Sequence, residues 1–152
     1  MREHRKLMER ALRESVVIQL RKRGFKGSFP HFRRPSNHRV DYLSVQFNSA
    51  GGSFVIELAA AGPDGKPNGY GRYLSIQKLN VTYFANRLRL GSNPSNGVVD
   101  HWFEFGPKSY ELSASVPEYA HFVGIAASAV AHLDVQMEAW LEAAANRGLT
   151  PS

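Results

Sequence analysis

Asp100 and His101 stand side by side in NRLRLGSNPSNGVVDHWFEF, residues 86 to 105, and a carboxylate beside an imidazole is a pair that can orient a general base. That chemistry also needs a nucleophile and a fixed Asp to His hydrogen bond, whereas adjacent strand residues point to opposite faces. No G-x-S-x-G elbow supplies an activated serine. The competing reading makes the stretch two paired strands that carry charged residues on one face, and no catalytic residue is assigned. Six histidines raise the question of a metal. His121 and His132 fall near one helix face, but a helical site takes partners one turn apart, as in H-E-x-x-H. His31 and His38 flank a Pro-Ser-Asn turn without acidic companions, so no metal and no cofactor are expected. The absence of cysteine removes disulfides, thiolate nucleophiles and cysteine-bound zinc. In GPDGKPNGYG, residues 62 to 71, Gly65-Lys66 precedes Pro67 rather than Ser or Thr, and no helix start follows. The segment reads as a loop between strands rather than a phosphate cradle.

Binding is the chemistry that remains. Alternation puts Tyr42, Gln46, Glu57, Arg87, Arg89, Trp102 and Glu104 on one predicted outer sheet face, with Asp100 just before Trp102. Tryptophan and arginine supply much of the energy at interaction hot spots, so Arg87, Arg89, Trp102, Glu104, Glu57, Gln46 and Asp100 form the candidate binding surface. A C-terminal helix or a second copy of the chain could equally cover this face. Glu57, Glu104 and Glu111 read as cross-sheet partners for Arg87 and Arg89. The net charge of +6 is uneven: residues 1 to 39 hold 12 Lys+Arg against 3 Asp+Glu, and the remainder 7 against 10. With Phe25, Phe29 and Phe32 interleaved among Lys26, Arg33 and Arg34, the basic quarter is the alternative surface, for nucleic acid. No RRM aromatic motif or helix-turn-helix supports it.

The elements that would position these residues follow from periodicity. Leu7, Met8, Ala11, Leu12, Val16 and Leu20 recur at helical spacing over residues 3 to 23, with Arg21, Lys22 and Arg23 in the last turn and Gly24 as C-cap, so that Phe25 folds back onto Leu20. A short strand over residues 28 to 34, ended by Pro35, precedes DYLSVQFN and SFVIELA, which alternate and flank the turn NSAGGS. Over residues 73 to 83 the phase slips, and a bulge or short irregular turn would reconcile it. Residues 116 to 147 are helical, with Pro117 in the first turn, Gly148 past the end and a break near His132 to Asp134.

Gly24-Phe25-Lys26, Phe32-Arg33, Val45-Gln46, Phe54-Val55-Ile56-Glu57-Leu58 and above all Arg87-Leu88-Arg89-Leu90-Gly91 with Asp100-His101-Trp102-Phe103 resemble the bacterial domain of unknown function 4304, over about residues 7 to 142. Where that family often has a second tryptophan this chain has Phe103. The resemblance implies a fold and a bacterial origin, and no reaction. One domain is expected over residues 1 to 152, with an ordered core about 5 to 147. It is α+β: an N-terminal amphipathic helix, an antiparallel sheet of about 4–6 strands and one or two C-terminal helices. With no apolar run of membrane-spanning length and a charged start, the chain is expected in the cytoplasm, off the membrane. The expected role is non-enzymatic recognition of a protein partner, immunity-type or accessory, with a homodimer among the assemblies allowed. Nucleic-acid binding is the alternative. An enzyme that uses Asp100, His101 or the arginines on a small anion is the third reading.

Overall fold

A computed structural model describes residues 2–65, 75–84, 86–93, 97, 100–111 and 115–146. The order is α1 (Arg2–Glu14), α2 (Val16–Lys22), β1 (Lys26–Ser28), β2 (His31–Pro35), β3 (Val40–Phe47), β4 (Ser53–Ala61), two 3-10 turns (Ile76–Lys78 and Val81–Tyr83), β5 (Leu88–Arg89), β6 (Phe103–Glu104), α3 (Tyr119–His132), a π-helical segment (Leu133–Met137) and α4 (Glu138–Asn146). This is the α+β arrangement expected from the sequence.

The amphipathic N-terminal stripe forms as two helices broken at Ser15, whose hydroxyl donates to the Ala11 carbonyl at 2.8 Å and so competes with the backbone ladder. Gly24 then adopts φ +92°. Its N–H donates to Arg21 O at 3.1 Å, and that of Phe25 to Leu20 O at 2.9 Å, the paired bonds of a Schellman C-cap. Phe25 is buried in the core with Leu20.

The strand expected over residues 28 to 34 is instead a tight β1–β2 hairpin, because the cis Phe29-Pro30 bond turns the chain between them. The sheet runs β1-β2-β3-β4-β5, all neighbours antiparallel, and β6 also pairs with β4. β5 and β6 are therefore not the partners of one another that the sequence suggested. Leu90 N–H donates to Ile56 O at 2.8 Å, and Phe103 lies opposite Phe54. The chain leaves the edge of β4 after Leu90 and rejoins that same edge at Phe103. With β3 on its other side, β4 is interior and buried along its whole length.

Alternation sorts the two faces as the sequence implied. Leu43, Val45, Phe54, Ile56 and Leu58 meet Met8, Leu12, Leu20, Phe122, Leu133 and Met137 from the helices. Val40, Tyr42, Ala59 and Ala61 face the other way and are covered by Leu79, Val81 and Phe84. The segment read as a slipped strand, residues 75 to 84, is thus a pair of 3-10 turns that lids part of the outer face; the C-terminal helices pack on the opposite one. Tyr42, assigned to an open surface, is fully buried there, and its hydroxyl donates to Gly65 O at 2.6 Å. Most of the loop over residues 62 to 71 lies outside the described residues.

The C-terminal helix starts at Tyr119, so Pro117 precedes it instead of occupying its first turn. Near the expected break, five residues from Leu133 widen into a π-turn without ending the helical path, a local register change that re-aims side chains.

Candidate functional site

Glu57 anchors the surface singled out from the sequence. It projects from β4 directly opposite Arg89 of β5, and its side chain is only 7% exposed. Arg87 Nη1 reaches one carboxylate oxygen and Arg89 Nη2 the other, both at 3.4 Å. Arg89 Nη1 also meets Asp100 Oδ1 at 3.3 Å, and its guanidinium carbon lies 5.2 Å from the centre of the Trp102 ring, within cation–π range. Trp102 remains 36% exposed. The structure thus joins Arg87, Arg89, Glu57, Asp100 and Trp102 into one network. Glu104, opposite Ser53 on β6, is exposed and makes no ion pair among the described residues. Glu111 instead accepts from Lys108 N–H at 3.2 Å.

This platform is held from behind. Gly91, at φ +91°, would set a Cβ 2.3 Å from the His101 ring, so only glycine fits that close approach. Gly91 N–H donates to Gln136 Oε1 at 2.6 Å, and Gln136 Nε2 donates to Ser92 O at 2.9 Å. Gln136 belongs to the π-turn, so that widening is what ties the loop before Trp102 to the helices.

Asp100 and His101 do not act as a dyad. Asp100 turns to Arg89, while the His101 ring packs against Phe103 at 4.6 Å and His132 at 5.6 Å. Burial, then the neighbouring His132, hold the His101 pKa below its ordinary value, which favours the neutral imidazole. His121 bonds Phe105 O at 3.1 Å, so His121 and His132 serve different neighbours.

Gln46 lines a separate groove, of about 520 Å³, bounded by α1, the Phe29-Pro30 turn, the end of β3 and the Val81–Tyr83 turn. Arg5, Glu9 and Arg13 face it at four-residue spacing along α1, the one signal by which the sequence could have announced it. His31 Nδ1 and Ser44 Oγ, 2.7 Å apart, also line it.

Family membership can be set against this geometry. The family model described as Domain of unknown function (DUF4304) matches residues 16–122. The chain belongs to that family. No curated protein and no solved structure matches it. The matched span of the DUF4304 domain contains the whole Glu57, Arg87, Arg89, Asp100 and Trp102 network, as well as His31, Ser44 and Gln46. It leaves out α1 and the helical path beyond Phe122, and with them Arg5, Glu9, Arg13 and the Gln136 clamp.

A second polar network was missed by sequence reasoning. Asp41, 2% exposed, is bound by Arg34 and Arg39, each at 2.8 Å, and Arg34 also reaches Glu138 of α4 at 2.9 Å. The Arg34 guanidinium lies 4.7 Å from the centre of the Phe25 ring and donates to Arg23 O at 3.2 Å. These contacts tie β2 and β3 to the end of α2 and to α4.

Proposed function

We propose that this DUF4304 domain is a non-enzymatic protein-binding module of the bacterial cytosol, which engages its partner through Trp102 and the adjoining Arg87 and Arg89. The observation that carries the reading is the combination of exposure and restraint at Trp102. An indole 36% open to solvent lies against a guanidinium that Glu57 and Asp100 already hold. A pre-ordered Trp and Arg pair loses little side-chain freedom on association, which is where binding energy is otherwise dissipated. Arg87, Asp100 and Glu104, all exposed, supply a rim of mixed charge of the kind that sets register with a protein surface. Zero cysteines fit a reducing compartment.

Nucleic-acid binding draws less support, because much of the basic quarter is already committed. Arg10 pairs with Glu14, Arg13 with Glu9, Arg23 with Asp134, and Arg34 and Arg39 with Asp41; Arg21 lies over Phe32. Catalysis at Asp100 and His101 loses its basis with their divergence.

The test begins with affinity capture from a bacterial lysate, followed by titration of the purified partner. Trp102→Ala and Arg87→Glu are each expected to weaken binding by about 30-fold, the size of a hot-spot loss of about 2 kcal/mol. Tyr110→Ala, at a residue 77% exposed away from the network, should leave affinity unchanged. A partner that binds both surface variants as tightly as the parent protein would end this reading.

A further inference from the structure

The groove beneath α1 carries a charge that the protein does not neutralise. Arg13 is held by Glu9 at 3.0 Å, whereas Arg5 meets no carboxylate among the described residues. Its guanidinium instead lies flat on Phe47, 4.5 Å from the ring centre, as that of Arg13 lies 4.8 Å from the centre of Phe29. Stacking fixes the plane of a guanidinium and leaves its N–H edge free to donate. Around Arg5 the lining divides in two. Phe29, Pro30, Val45 and Phe47 are apolar, while Ser44, Gln46 and Thr82 offer hydrogen-bonding groups. A volume of about 520 Å³, largely apolar walls and a few converging polar groups are the properties of a small-molecule site. Arg5 and Phe47 also border a neighbouring cavity of about 280 Å³ that holds Arg2, a second arginine without a carboxylate partner among the described residues, so the local field favours an anion on this side of α1.

We propose that this groove binds a small organic oxyanion. Its phosphate or carboxylate group sits on the free edge of Arg5, and its apolar body lies against Phe29, Val45 and Phe47. Glu9 disfavours an anion at the Arg13 end, which sets the ligand's direction: charge toward Arg5, neutral hydrogen-bonding groups toward Ser44, Gln46 and Glu9. The site is distinct from the Trp102 surface.

Titration calorimetry of the whole chain with phenyl phosphate, benzoate and inorganic phosphate tests this, together with amide shift mapping. Phenyl phosphate or benzoate is expected to saturate, with shifts at residues 29 to 31, 44 to 47 and 82; which of the two binds identifies the phosphate or the carboxylate class. Arg5→Gln should weaken binding by about tenfold or more. Arg10→Gln, an equal loss of charge on α1 outside the groove, and Trp102→Ala should not weaken it. Melting temperatures of all variants are measured alongside, and the shift map and Arg13→Gln decide the matter if Arg5→Gln fails to fold. The proposal is overturned if neither organic anion saturates by about 10 mM. It is equally overturned if Arg5→Gln matches Arg10→Gln, if the shifts fall outside the groove, or if inorganic phosphate binds as tightly as phenyl phosphate, since the apolar walls would then contribute nothing.

Discussion

Asp41 is 2% exposed, while the side chains of Arg34 and Arg39 that neutralise it are 18% and 21% exposed. Removing one member of a buried ion pair costs more than the pair itself contributes, because the desolvated partner keeps its charge. Asp41→Ala should therefore destabilise the protein by about 3 kcal/mol, the low end of the buried-pair range because both arginines reach water. Glu138→Ala, at a side chain 57% exposed, should cost under about 1 kcal/mol; urea denaturation of the two variants checks the contrast. The histidines set the acid response. Burial lowers the pKa of His4, His31 and His101 below the ordinary 6.5. The unfolded chain then binds protons more readily than the native one, so stability is full above pH 6.5, falls as pH drops below it, and levels out once the native pKa values are passed. His4 is 3% exposed with Nδ1 unpartnered, so His4→Phe should flatten the decline measured by urea titration between neutral and mildly acidic pH. Tyr42 works in the other direction. Burial pushes its pKa up to about 12 from 10.0, so its contribution is whole below pH 10 and is lost as pH rises through 10 toward 12.

Two glycines with nearly the same backbone angle separate conformational from steric cost at the ends of elements. At Gly24, φ +92°, an added Cβ would meet only Arg34 Cδ at 3.6 Å, an ordinary contact; at Gly91, φ +91°, it would stand 2.3 Å from His101. Gly24→Ala should cost about 1–2 kcal/mol, the left-handed penalty alone. Gly91→Ala should cost visibly more, as thermal unfolding of the pair would show, since it also displaces His101 from Phe103. The π-turn makes its own prediction. Gln136→Leu removes both bonds to residues 91 and 92 and should cost about 1–2 kcal/mol, with faster hydrogen exchange at the Gly91 amide. If that amide exchanged at the parent rate, the π-turn would have no part in holding the loop before Trp102. The period-two alternation of β3 and β4 and the Gly24 cap were legible in sequence, because strand pleat and helix termination are set within a few residues. The break at Ser15 was not: serine is compatible with a helix, and its side-chain bond to Ala11 became visible only in three dimensions.

At the scale of the whole molecule, one apolar cluster joins residues of α1 and α2, the inner sheet face, α3 and the π-turn, and a smaller one lies under the turns over residues 76 to 83. A core shared in this way predicts one cooperative transition. Far-UV circular dichroism and tryptophan fluorescence should coincide, because Trp140 packs on the main cluster and Trp102 reports from the far edge of the sheet; two separated transitions would divide the chain into independent folding units. Sequence by itself determined the class of elements, the inward and outward faces of β3 and β4, the Glu57 pairing with Arg87 and Arg89, and the family. Each of these rests on periodicity, charge complementarity or short motifs carried by nearby residues. Tertiary structure alone decided that β5 and β6 share one edge of β4, that residues 75 to 84 cover Tyr42, that Gln136 reaches the loop before Trp102, and that Arg5 borders a groove. Those relations depend on contacts between residues tens to a hundred positions apart, and the closure of such long loops leaves no periodic trace in the chain.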